Sequence, residues 1–213
     1  MRQLALVLAF ATLAVLVVLI GISLATGATQ ELHEHYAPAD IYARDLLAHP
    51  GGLRALLGLD IGFLILYTAF FAAFALYLRE LGGAFTYLAL GAMILTALLD
   101  IVEDHHIAVL LRLAEHGRPI DDGSLVFQDV LSQCKFTVSF LSLVLYGLAV
   151  PRTSKLAWAL VLFLTVGTLV SGIAGYATSP ETARSLENGR WVGFLIGFVL
   201  AIAWLRKGDG LRS

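Results

Sequence analysis

The sequence predicts an all-α integral membrane protein, a six-transmembrane-helix bundle oriented N-in/C-in with a short interfacial helix in its first outer loop. Two facts of composition and one pattern carry that expectation. The 213 residues are 59% hydrophobic, with a mean hydropathy of +0.84, whereas a soluble domain is nearer half apolar. Only 14% are charged, against about a quarter in soluble proteins. The pattern is six apolar runs, each near the roughly 20 residues that carry a helix across a bilayer. They lie at about 4–26, 54–79, 84–113, 125–150, 155–177 and 189–206. No stretch remains for a separate soluble domain, so residues 1–213 are read as one transmembrane unit.

The first run follows Met1-Arg2-Gln3. It exceeds the apolar core of about 7–15 residues in a secretory signal, and is read as a retained first helix. The later breaks carry turn residues: Pro38 and Pro50-Gly51-Gly52 in the first connection, then Gly82-Gly83, then Gly117 to Gly123, then Pro151 and finally Ser179-Pro180. Short connections at 80–83 and 151–154 make the flanking helices antiparallel neighbours. In the longest connection, about 27–53, Asp40 can cap a short helix with Ile41 and Leu47 on its apolar side, lying on the outer membrane surface. Tyr77, Tyr87, Tyr146 and Trp158 near one set of helix ends, and Tyr176 and Trp191 near the other, read as interfacial belts.

Orientation follows from Lys and Arg in the loops. A cytoplasmic N-terminus puts seven of them inside and six outside, which favours N-in/C-in under the positive-inside rule. A compact chain with this Ala/Leu-rich usage fits a bacterial inner membrane, its outer side facing the periplasm. The net charge of -2 and the lack of a basic stripe speak against nucleic-acid binding. A single cysteine, Cys134, excludes an internal disulfide and any cysteine-based zinc motif.

The stretch that carries chemistry is Asp100-Ile101-Val102-Glu103-Asp104-His105-His106, inside the third apolar run. Ionisable groups at membrane depth are costly and mark function by default. Asp60 lies one to two turns from the outer end of the second helix, and Asp129 and Gln133 in the first turns of the fourth. All six histidines fall on that same side. At about 100° per residue, Met93, Thr96, Asp100, Glu103, Asp104 and Ile107 share one face of the third helix. Glu103 and His106 have the i, i+3 spacing that brings a Glu and a His to one metal in di-iron bundles. On the fourth helix Asp129, Gln133, Phe136 and Phe140 form one stripe, and Ser132, Lys135, Ser139 and Ser142 another.

Five carboxylates (Asp60, Asp100, Glu103, Asp104 and Asp129) thus converge with Lys135 as the one fixed cation. The excess has to be balanced by protons or by a positive guest. Carboxylates with imidazoles suit a divalent metal such as Zn, Fe or Mn. The metal ligands read from the sequence are Asp60, Asp100, Glu103 and His106, completed by His33 and His35 if the first outer loop folds back. Asp104 or Asp129 is the candidate general base, and Lys135 stabilises developing negative charge.

The expectation is a metal-binding membrane protein, a hydrolase-like enzyme acting on a lipid or amphiphilic substrate in the outer half of the bilayer. Two alternatives stand beside it. One is a non-enzymatic cofactor-binding or accessory subunit of a larger membrane complex or homo-oligomer, using small-residue faces such as Gly193-x-x-x-Gly197. The other is a proton- or cation-coupled transporter. Against the transporter, the inner half offers few polar side chains and no paired broken helices.

Overall fold

The computed structural model describes the backbone of residues 1–177 and 180–208 and the side chains of 1–173 and 190–208. The expected break at Ser179 and the belt position Tyr176 lie outside the described side chains. Among the described residues every regular element is helical: α1 Arg2–Thr26, a single 3-10 turn Glu31–His33, α2 Ala39–Leu46, α3 Pro50–Glu80, α4 Thr86–Glu115 and α5 Asp122–Ala149. Then α6 Lys155–Leu162, a π-helical turn Phe163–Gly167 and α7 Thr168–Ala177 follow one another without a break, and α8 spans Pro180–Lys207. Five segments are long and apolar enough to cross a membrane: α1, α3, α4, α5 and Lys155–Ile173.

The helix ends follow local chemistry. Gly27 closes α1 in the left-handed region at φ 73°, a conformation that costs glycine nothing. Asp121 caps α5 by accepting the Ser124 N–H at 2.9 Å, and Ser154 caps α6 by accepting the Ala157 N–H at 3.2 Å. Pro50 and Gly51-Gly52, expected to be loop, are the first turn of α3. Proline fits there because its missing N–H would have no helical partner. Gly52 is also where the returning chain crosses the end of α1. A Cβ at that position would sit 2.6 Å from Thr26 Oγ1.

Packing arranges the rods as a ring. Contacts run α1 to α3, α3 to α4, α4 to α5, α5 to the α6–α7 rod, that rod to α8, and α8 back to α1. At the inner end the ring is closed by aromatic packing. Phe74 meets Trp204 edge-on at 5.9 Å, and Tyr146 lies against Phe74 at 5.7 Å. Tyr77 and Tyr146 are therefore core residues rather than belt residues; the Tyr146 hydroxyl donates to the Phe71 carbonyl at 2.9 Å. Tyr87 and Trp158 do stay on the surface.

The first outer loop folds down into the outer mouth of the ring. Gln30, Glu31, His33 and Glu34 are buried, and α2 packs on α4. Asp40 falls within the first turn of α2, whose cap position is Pro38. The buried side of α2 is Tyr42 and Leu46, not Ile41 and Leu47. Tyr42 sets this rotation: its hydroxyl donates to the His33 carbonyl at 2.8 Å and its ring meets the His33 ring edge-on.

Candidate metal and substrate site

On α3, Asp60 points into the ring; on α4, Asp100 and Asp104, one turn apart, do the same. One carboxylate oxygen from each lies within 4.8 Å of the other two. Among the described residues no other group of three such ligands forms. Asp60 and Asp104 are buried, and the Asp100 side chain is 14% exposed. Asp100 is held from two sides: Tyr67 donates to Oδ2 at 3.0 Å and Lys135 to Oδ1 at 3.0 Å. Asp104 accepts the Gln30 amide at 2.6 Å through Oδ1, while its buried Oδ2 receives no N–H or hydroxyl donor and its carboxyl adjoins that of Asp60. A buried carboxylate oxygen left unsatisfied is expensive, and this one belongs to the set of three.

Lys135 is the hub of the neighbouring charges. It is 6% exposed, pairs with Asp100 and Glu103, and lies 3.6 Å from Glu34. Glu103, wholly buried, also accepts from the Ser132 hydroxyl. Gln128 continues the chain outward, donating to Ser132 at 3.5 Å and accepting from His106 Nδ1 at 2.7 Å. On the loop side Arg190 of α8 pairs with Glu34 at 2.5 Å. Phe136 lies beneath both cations, with Lys135 Nζ 4.6 Å and Arg190 Cζ 4.1 Å from its ring centre, a further favourable contact for each. Lys135 is thus not the sole fixed cation of the region, because α8 brings Arg190.

Two carboxyls of the loop respond to this burial. Desolvation pushes the Glu31 carboxyl above its ordinary value, and Glu34 beside it adds to the effect. For Glu34 burial acts the same way, but Arg190 and Lys135 override it and hold the carboxyl below the ordinary range.

Of the residues expected at the site, the structure brings Asp60, Asp100 and Asp104 together and sets Glu103 and Lys135 beside them as an ion pair. His106, Asp129 and His33 it places elsewhere, and His35 lines the adjoining cavity without joining the three carboxylates. His106 turns to Gln128, with its ring edge-on to Phe127. Asp129 sits at the rim, 3.6 Å from His35. His33 faces α2 and borders a separate small pocket with Asp45 and His49. His105 is exposed, its Nδ1 within 2.8 Å of the Ile101 carbonyl. The loop does fold back, but Gln30 and Glu34 are the side chains it delivers. Gln30, Glu34, Tyr67, Gln128 and Arg190 were not expected at the site. Tyr67 could have been found, since it lies seven residues after Asp60 on the same helix face. Nothing in the local sequence marks the loop residues or Arg190.

Beside the carboxylates the ring holds a partly open cavity of about 500 Å³. Its outer end is lined by Glu34, Asp60, Asp100, Lys135 and Arg190, and its inner part by rings such as Phe70, Phe74, Phe140 and Phe198. Comparison with protein-family models, with curated proteins and with solved structures finds no match.

Proposed function

We propose that this chain is a six-span membrane enzyme that holds a divalent cation between Asp60, Asp100 and Asp104 and hydrolyses an amphiphilic substrate bound in the adjoining cavity. In this reading α8 is the sixth crossing, both termini are cytoplasmic, and the site faces the periplasm of a bacterial inner membrane. The observation that carries it is the convergence of three carboxylates, each with an oxygen within 4.8 Å of the other two, at one end of a large cavity.

Charge supports a cationic guest. Glu34, Asp60, Asp100, Glu103 and Asp104 face only Lys135 and Arg190, an excess of three negative charges if all are ionised. The donor set is oxygen alone, which suits Mn or Mg better than Zn; of the metals the sequence allows, Mn fits best. Bound there, the metal would lower the pKa of a water and polarise the bond to be cleaved. Gln30 fixes the Asp104 carboxyl so that Oδ2 can hold the metal or the attacking water. Tyr67 and Lys135 fix Asp100 from opposite sides. The Lys135 ammonium is placed to stabilise negative charge developing on the substrate, and Glu103 and Ser132 keep it there. The aromatic packing at the inner end leaves no polar route across the bundle, which weighs against the transporter reading.

Metal content tests the proposal. Purified protein dialysed against Mn, then washed, is expected to retain about one ion per chain. Asp60→Asn and Asp104→Asn should lose it, whereas His106→Ala and His33→Ala should keep it. Equal metal content in all five proteins, or none in the wild type, would remove the reading.

A further inference from the structure

We propose that the cavity takes the single hydrocarbon tail of an amphiphile, with its head group beside Asp60, Asp100 and Lys135 and its tail end at the level of Phe74 and Ala201. This deepens the enzyme reading above and rests on it for calling the guest a substrate. The tail site itself stands on geometry.

One face of α3 lines the cavity from top to bottom: Asp60, Phe63, Tyr67, Phe70, Phe71 and Phe74. Asp60 to Phe74 is a descent of about 21 Å at 1.5 Å per helical residue. A volume of about 500 Å³ over that depth leaves a mean cross-section of about 24 Å². That leaves room for an extended hydrocarbon chain along the whole depth. The lining changes character once along this length. Charged and amide groups occupy the top, and below Tyr67 the α3 face is phenylalanine, joined by Met93 of α4, Leu160 and Leu164 of the α6–α7 rod, and Phe198 of α8. A small polar metabolite would leave the lower half empty. A single-chain amphiphile matches both the length and the one change of polarity.

The test uses full-length protein in lipid nanodiscs and displacement of a bound fluorescent fatty acid by alkyl phosphocholines from octyl to octadecyl. Affinity should rise about fourfold per added methylene, as each is buried, until the chain spans about 21 Å, and then level off. A diacyl phosphocholine with the same head should compete at least tenfold less well than the best single-chain member. Ala201→Phe, at the inner end, should move the plateau to shorter chains while leaving metal content unchanged. Gly193→Leu, where an added Cβ meets nothing within 4 Å, is a second variant that narrows the bore without crowding the core; it should weaken every chain length. Affinity independent of length, or a plateau that Ala201→Phe does not move, overturns the tail site. Length-dependent binding by protein that holds no metal supports the tail site and overturns the metal reading instead.

Discussion

Replacing Lys135 by methionine is the sharpest single test of the charge architecture. Methionine keeps the length and the apolar stem but removes the ammonium that serves Asp100 at 3.0 Å, Glu103, and Glu34 at 3.6 Å. Glu103 then keeps only Ser132, and Asp100 only Tyr67. Removing one partner of a buried ion pair costs about 3–5 kcal/mol, because the carboxylates left behind have lost both water and counter-charge. Against a total stability of about 5–15 kcal/mol, that is about a fifth of the fold or more. Reversible unfolding in mixed micelles should show the loss. Adding Glu103→Gln and Asp100→Asn to Lys135→Met should recover most of it, since the penalty lies in the unpaired carboxylates and not in the missing lysine. A Lys135→Met protein within 1 kcal/mol of wild type, or a triple variant no better than the single one, would refute the reasoning.

The other expectations are smaller. Gln30→Leu strips Asp104 of its amide donor and should cost about 1–3 kcal/mol; faster hydrogen exchange across residues 27–49 would report the loosened loop. Burial holds the His33 imidazole down to about 4, against an ordinary value of 6.5. The unfolded chain therefore binds a proton that the folded chain refuses, and stability should fall as pH drops from 6.5 towards 4, by about 3 kcal/mol from this residue. The difference between wild type and His33→Gln across that window isolates the effect from Glu31 and Glu34, and an identical pH slope in both proteins would exclude it. By contrast the Arg54–Glu115 pair joins α3 to α4 at the surface, with Arg54 55% exposed. Glu115→Gln should therefore change stability by less than about 1 kcal/mol, with the remainder screened by salt.

How far the site could be read from the chain depended on the range of the interaction. Hydropathy and turn residues give five of the spans to within a few residues, because a helix in lipid satisfies its own backbone and needs no distant partner; α8 begins at Pro180, well before the expected run at 189–206, because its first turns are polar. The inward face of α4 follows from helical periodicity alone, so Asp100, Glu103 and Asp104 were legible. What periodicity cannot supply is which stripe of α5 faces them: Ser132 and Lys135 do, while Asp129 turns to the rim and His35. Nor does it say where a 27-residue connection lies. That loop could have rested on the membrane; it is drawn inward because Tyr42 and Leu46 bury against α4 and because Gln30 and Glu34 meet groups that need them. The Glu-x-x-His spacing is real, but His106 is claimed by Gln128. The i, i+3 rule places two side chains near each other and leaves their partners open.

The cavity and the carboxylates bear on one question, which is why this bundle departs from tight packing where it does. Unfilled space in a core costs about 24 cal/mol per Å³, so the enclosed part of this half-open cavity of about 500 Å³ is a cost that tighter packing would avoid. A few larger side chains, at Gly193, Gly197 or Ala201 for example, would fill it. Buried ion pairs are likewise no source of net stability over well-packed apolar residues. The chain carries both features side by side and has kept neither at the inner end, where Phe74, Tyr77, Tyr146 and Trp204 pack closely. A guest that fills the bore and a cation that balances the acids remove both costs at once, which is why the two proposals are best tested on the same protein preparation.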